Sequence, residues 1–296
     1  MPDAPLLRDV IAVLEGLYDP GLAEPWDAVG LVCGDPQAPV RRIVFAVDPV
    51  AAVAAEALGW GADLLVTHHP LFLTAVHGVP ATSAKGALVH SLVRGGTALF
   101  VAHTNADRAD PGVSDALAGA LGLCDVRPLE PVSPGASTGV GRVGRLAQAL
   151  PLARFAHLAA AALPATAGGL RVAGDPARQV QIVAVCGGSG DFLLGAARAA
   201  GADAYLTADL RHHRVAEALE EDRPGPGGFS GAMSDAGAGP ALIDAAHWAS
   251  EWPWLPVAAR QVREALAASG TTVDLHVSQL VTDPWTAHQP MPAADE

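Results

Sequence analysis

Apolar runs the length of a strand alternate along this chain with apolar-periodic segments the length of a helix. That alternation limits the possible folds more than any other feature of the sequence. Residues 6–18, LLRDVIAVLEGLY, repeat apolar positions at helical spacing. RIVFAVD (42–48), DLLVTHH (63–69) and TALFVAH (97–103) read as strands. VAAVAAEALGWG (50–61), KGALVHSLVRGG (85–96) and PGVSDALAGALG (111–122) read as helices, the last with Pro111 near its start and Gly122 at its end. VRPLEPVSPGASTGVGRVG (126–144) is rich in Pro, Gly and Ser and reads as a domain crossing. The rhythm then resumes: a helix near 151–163, strands at 170–174 and 181–186, a helix at 191–200, a strand at 203–209 and a helix at 212–221. DRPGPGGFSGAMSDAGAGP (222–240) has the composition of a mobile loop. Ordered chain returns with ALIDAAH (241–247), a helix over 255–268 and a last strand at 271–277, before a loose tail. The expected class is α/β, with two α/β domains whose mainly parallel or mixed sheets are flanked by helices. One domain comprises 1–127 plus 241–296, the other 128–240. Both halves carry βα units, and we read no clear self-similarity between them.

Composition narrows the function classes. The chain has 296 residues, half of them apolar, with a formal net charge of −13 and a single lysine, Lys85. Length and apolar content suffice for a sizeable core. The negative charge disfavours a nucleic-acid partner, since phosphate binding needs a cationic surface. No apolar run reaches the roughly 18–20 residues of a membrane helix. MPDAPLLRDV lacks a basic segment followed by an apolar one, so no signal peptide is expected. Cys33, Cys124 and Cys186 are odd in number and lack CxxC spacing, which points to a reduced cytoplasm and away from a cysteine zinc site.

Three strand-like runs end in polar residues that can bind metal: DLLVTHH, TALFVAHTNAD and ALIDAAHWASE. In open α/β sheets ligands bind beyond the carboxyl ends of strands. Each segment also has an ordinary reading. His68 and His69 could be a solvated strand end, HTNAD (103–107) a turn with local backbone bonds, and HWASE (247–251) an exposed helix start. The functional reading is metal ligation. Alternation relaxes where strand gives way to loop, and Pro70 holds His69 extended, so adjacent rings could diverge to serve two neighbouring ions. Asp107 could bridge them, with His103 a further ligand or a group behind the ligands. His247 and Glu251, at i and i+4, share a helix face, while Pro253 and Pro256 force a kink or restart just after them. His68, His69, Asp107, His247 and Glu251 exceed one closed four-ligand zinc site and suit two ions ~3.5–4 Å apart. Zn, Mn, Fe and Ni all tolerate this donor set.

Taken together and in order, WDAVGLVCGDP (26–36), THHPLF (67–72), HTNAD, GVGRVG (139–144), CGGSG (186–190), TADLRHH (207–213) and AAHWASE (245–251) resemble one family. It is that of the NIF-three-like (NGG-interacting-factor-three-like) proteins, also called GTP cyclohydrolase I type 2 homologues, and the resemblance covers about residues 5–280. It implies a two-domain NIF-three-like fold, a dinuclear metal centre and a toroidal homohexamer whose metal sites face an internal cavity. The ligands it implies are His68, His69, Asp107, His247 and Glu251, with Asp107 and Glu251 as bridges. The chain looks like the family's short form, without an inserted domain. It carries Thr207-Ala208-Asp209 where the family has TGD.

The remaining motifs have two readings each. The amides of GGSG (187–190) could hold an anion or form a tight turn. Asp209, His212 and His213 could orient ligands or substrate, or simply open a solvated helix. Asp27 receives no chemistry, and His90 and His157 are expected to pack or solvate. The first functional expectation is a metal-dependent hydrolase using a metal-bridging water on a nucleotide-like, phosphorylated or cyclic small molecule, with Asp209 or His103 relaying protons. The second is a non-catalytic metal-handling or regulatory hexameric scaffold. No P-loop, Rossmann glycine fingerprint or G-x-S-x-G is present.

Overall fold

The computed structural model describes residues 4–221 and 239–291. In chain order its elements begin with α1 (Leu7–Leu17), β1 (Gly30–Cys33), β2 (Arg42–Ala46), α2 (Ala51–Trp60), β3 (Leu64–Thr67), α3 (Ala84–Gly95), β4 (Ala98–Val101), α4 (Thr104–Arg108) and α5 (Val113–Ala120). They continue with β5 (Cys124–Pro131), β6 (Gly139–Pro151), α6 (Leu152–Ala162), β7 (Arg171–Ala173), β8 (Gln179–Ser189), α7 (Leu194–Ala199), β9 (Ala204–Ala208) and α8 (His212–Glu220). The last are β10 (Ala241–Ala245), α9 (His247–Glu251), α10 (Trp254–Ala268) and β11 (Asp274–Val277). The chain divides into two units: residues 1–116, 130–140 and 251–282 form the first, and 117–129, 141–250 and 283–296 the second.

The first unit holds a sheet of order β1-β4-β3-β2-β11, parallel except for β1 on β4. Its strands are apolar on both faces because helices cover them, as parallel sheets require. Val44, Leu65 and Leu99 pack against Ala54 and Ala57 of α2 and Leu88 and Leu92 of α3. Elsewhere in this unit the Trp254 ring meets Tyr18 edge-on at 5.4 Å, and its Nε1 donates to the Tyr18 hydroxyl. The second unit holds a sheet of order β5-β6-β8-β9-β10-β7, with β8, β9 and β10 parallel and β6 and β7 antiparallel to their neighbours. Val183, Val185, Leu206 and Ile243 pack there against Leu152, Phe155 and Ala159 of α6.

Several expectations change. Residues 241–247 do not join the sheet of residues 1–127: β10 pairs with β9 and β7 in the second sheet. A parallel strand is placed by its ladder partners, which an apolar pattern does not identify. The Pro/Gly-rich segment 126–144 is largely strand. β5 is the outermost strand of its sheet and mostly exposed, so Pro128 and Pro131 interrupt no ladder on its open side. Gly139, at φ +159°, opens β6 where a Cβ would lie 2.3 Å from the Glu130 carbonyl oxygen. β1 and the short helix α4 were not read as regular structure. Of the Gly/Pro-rich stretch 222–240, residues 222–238 lie outside the described residues.

A repeat also emerges. GADLLVT (61–67) and GADAYLT (201–207) occupy equivalent places. Gly61 and Gly201 end α2 and α7 at φ +72° and +69°, a left-handed conformation that glycine adopts without strain. Asp63 Oδ2 then accepts the backbone N–H groups of Arg41 and Arg42, at 2.6 and 2.9 Å. Asp203 Oδ2 accepts those of Gln181 and Ile182, at 2.9 and 2.7 Å. The two aspartate carbonyls accept from Ala98 and Ala241, so each motif ties three neighbouring strands. The matching glycines, aspartates and threonines are too few among unlike apolar residues to stand out as a sequence repeat. Replacing Asp63 or Asp203 with alanine removes a charged acceptor from two backbone donors, and each change should destabilise the protein by about 1–3 kcal/mol in thermal or urea unfolding.

Candidate metal centre

Within the first unit, the carboxyl ends of β2, β3 and β4 deliver the polar residues. His68 and His69 extend β3 by donating backbone N–H bonds to the carbonyls of Ala46 and Val47, and Asp48 follows β2. β4 leads to His103, which caps α4, and Asp107 lies on that helix. Asn105 holds the turn: its side chain accepts from the His103 amide and donates to the Tyr18 carbonyl. Glu251, the last residue of α9, opens the final segment of this unit. Its Oε1 lies 3.3 Å from His68 Nε2 and its Oε2 3.0 Å from His69 Nε2, while Asp107 Oδ1 lies 3.7 Å from His68 Nε2. His68, His69 and His103 can each present a ligand atom, all within 4.8 Å of one another.

Each of these rings is oriented from behind. His68 Nδ1 donates to the Ala102 carbonyl at 2.9 Å, His69 Nδ1 to Asp48 Oδ1 at 2.7 Å and His103 Nδ1 to Asp27 Oδ1 at 2.9 Å. A carbonyl or carboxylate oxygen can only accept, so Nδ1 carries the proton and Nε2 becomes the donor atom for a metal. The orienting groups are themselves held. Asp27 also accepts from Thr104 N–H and Oγ1, and Asp48 from Thr282 Oγ1. His68 is fully buried, with the Trp254 ring 5.4 Å away. Its Nε2 makes no hydrogen bond. A buried polar atom of this kind facing two carboxylates fits a cation.

The electrostatics agree. Burial opposes protonation of His69, but the Glu251 and Asp48 carboxylates outweigh it and push its pKa up to about 10. His68 rises for the same reason, with burial opposed by Glu251 and Asp107. Burial and the neighbouring His68 lower His103 to about 4, against the pull of Asp27. Asp27 stays below the usual carboxylate range because hydrogen bonds from Thr104 and His103 overcome its own burial. Near pH 7 and without metal, His69 therefore holds an extra proton, the carboxylates favour one on His68, and His103 stays neutral.

The second unit orients its histidine in the same way. His247 Nδ1 donates to Asp209 Oδ2 at 2.7 Å, and Ser189 Oγ donates to the same oxygen at 2.7 Å. Asp209 adopts φ +56°, uncommon for a residue with a side chain. His247 and Glu251 sit one turn apart on α9, and α10 restarts at Trp254 after Pro253, as the prolines required.

One premise of the sequence reading fails. β3 and β4 share a sheet, but β10 lies in the other, so three strand ends do not meet at one sheet edge. Glu251 reaches His68 and His69 on a helix. The GGSG segment is not a tight turn: Gly187 to Ser189 belong to β8, and the Gly188 amide donates to Ser250 Oγ and so is taken. His212 and His213 open α8 and pack edge-on against each other at 5.1 Å. His157 is exposed, and His90 bonds the Val79 carbonyl. The orienting residues Asp48, Asp27 and Ser189 were missed. Asp48 ends a strand-like run just as His68 and His103 do, and that signal could have found it.

Fold and cluster together define an α/β protein with a His/Glu cluster that could hold a metal ion. The chain belongs to the Duf34/NIF3 (NGG1p interacting factor 3) family, which it matches over residues 5–284. A Streptomyces coelicolor protein named GTP cyclohydrolase 1 type 2 homolog is 52% identical over 286 residues, covering 96% of this chain and 95% of its own. A Mycobacterium tuberculosis protein of the same name is 36% identical, covering 94% and 96%. That alignment runs over 386 positions, so the mycobacterial protein carries residues this chain lacks. The crystal structure of a Bacillus cereus protein related to NIF3 shares the fold, with a TM-score of 0.82 at 24% identity, covering 95% of this chain and 98% of its own. No helix among the described residues is long and apolar enough to cross a membrane.

A histidine whose folded pKa exceeds its usual 6.5 adds stability that is complete below pH 6.5 and lost as pH rises through the folded value. The melting temperature of the metal-free protein should therefore fall as pH is raised from about 6.5 to 10. The lowered His103 adds the opposite limb, with stability lost as pH falls from about 6.5 toward 4. Saturation with a divalent metal should remove the alkaline limb. An unchanged alkaline limb would show that the metal does not bind at His68 and His69.

Proposed function

We propose that this protein holds two divalent metal ions per chain and is a metal-dependent hydrolase. The observation that carries the reading is the shared orientation of four histidines, His68, His69, His103 and His247, each fixed through Nδ1 by a carbonyl or carboxylate. Side chains that merely fill a core or meet solvent have no need of one common tautomer. His68, His69, Asp107, His247 and Glu251 would hold the ions. Helical spacing supports His247 as a partner of Glu251, since i and i+4 share a face. When bound, two such cations lower the pKa of a water and polarise a substrate oxygen.

The chain's own residues supply the rest. Asp48 and Asp209 fix the Nε2 atoms of His69 and His247, and the Ala102 carbonyl fixes that of His68. His103 stays neutral near pH 7, so its Nε2 can accept a proton in the substrate's vicinity. Asp209 fits a positioning role, because one of its oxygens accepts from both Ser189 Oγ and His247 Nδ1 and so holds the ring in place. The relatives named GTP cyclohydrolase 1 type 2 homolog support a nucleotide-like or cyclic substrate, and a phosphorylated small molecule fits the same chemistry. The reading includes assembly into a homohexamer, which sedimentation velocity measures, and a cytoplasmic setting.

Elemental analysis tests this first. The native protein should carry about two metals per chain, and His68→Ala and Glu251→Ala should lose them. Asp209→Ala should weaken one of the two by about 10–100-fold. Retained metal with lost turnover in that variant would restore the relay role. A metal-loaded protein inert toward phosphoester and cyclic-amide substrates would favour a metal-handling or regulatory scaffold. A native protein without metal, even after reconstitution, would sink both readings.

A further inference from the structure

Trp26 is out of place for an indole. Its side chain is 58% exposed, although the first unit offers buried sites that take Trp254 and Tyr18 completely. Exposure here is not looseness, because the loop that carries it is tied down on both sides. The Asp27 amide donates to the Glu24 carbonyl, the Glu24 amide donates to Thr104 Oγ1, and Arg108 binds both the Leu22 carbonyl and the Glu24 carboxylate. Asp27, the next residue, is anchored to Thr104 and His103. The indole is thus fixed at the edge of the histidine cluster, with its ring centroid 6.2 Å from that of His103 and the rings at 75°.

The cluster is partly open to solvent. His69, His103 and Asp107 keep side-chain exposures of 23%, 16% and 24%, whereas those of His68 and Glu251 are 1% and 3%. A molecule approaching His103 therefore meets an exposed indole carried on a tied loop. Exposed aromatic faces bind planar rings by stacking, with little dependence on the ring's substituents.

We propose that Trp26 is a stacking platform for a planar heteroaromatic ring of the substrate, a specificity-determining residue that rests on the metal-centre reading above. It binds the ring and holds it beside His103, and it takes no part in holding metal.

The test titrates guanosine monophosphate, and ribose 5-phosphate as its ringless counterpart, into metal-loaded protein by calorimetry, for the native chain, Trp26→Ala and Trp26→Phe. Metal content and sedimentation are measured on each. Trp26→Ala should keep its metals and assembly state, bind guanosine monophosphate about tenfold more weakly and bind ribose 5-phosphate unchanged. Trp26→Phe should stay within about threefold of native. Equal binding by native and Trp26→Ala would overturn the proposal, as would a native protein that prefers neither probe while holding its metals. A changed assembly state in Trp26→Ala would also overturn it, by showing the indole to be a subunit contact. Failure of the metal-centre reading is read separately, from absent metal in the native chain.

Discussion

His68 has no exposed surface, yet it faces the carboxylates of Glu251 and Asp107 with a nitrogen that makes no hydrogen bond. Burying such a group is costly unless positive charge compensates the carboxylates. In the metal-free protein the same carboxylates raise the pKa of His68 above its usual value, which favours a proton there. The rest of the first unit keeps this arrangement from collapsing: the Ala102 carbonyl fixes one side of the ring, Trp254 packs against it, and Tyr18 supports Trp254 while its carbonyl receives Asn105. Packing and charge are thus coupled at one residue.

The cluster is built in two layers. The inner layer consists of Nε2 atoms and carboxylates. The outer one consists of Asp27, Asp48 and the Ala102 carbonyl, which decide where each inner proton sits. Loss of such an outer group typically lowers metal affinity or activity by about 10–100-fold. Their differing settings produce opposite behaviour in neighbouring rings. His69 lies between two carboxylates and holds a proton strongly, whereas His103 lies beside His68 and gives one up.

Much of this was legible in the sequence because the relevant signals are local. Apolar runs ending in His68, His69 and His103 marked strand ends, and the i, i+4 spacing of His247 and Glu251 with the prolines after them marked a short helix and a restart. What escaped was non-local. Nothing in ALIDA says which sheet it joins, so the domain containing β10 was misassigned. Asp27 meets His103 across 76 positions of chain, and Asp48 meets His69 across 21, through contacts that no periodicity announces. The pair of strands in 126–144 was hidden because proline and glycine are tolerated on an outer strand and in its turn, where they resemble a linker.

The repeated Gly-Ala-Asp frame separates scaffold from chemistry. In each unit the aspartate stitches strands together at their amino ends, while the residues just beyond the carboxyl end of the same strand are left to vary. One copy carries His68 and His69 there. The other carries Ala208 and Asp209 at the equivalent positions, and supplies an orienting group instead of ligands. In both copies the strand ties run through the aspartate, so neither set of side chains beyond the threonine bears the weight of the sheet. The side chains beyond each strand can therefore be exchanged without removing the bonds that tie the strands together.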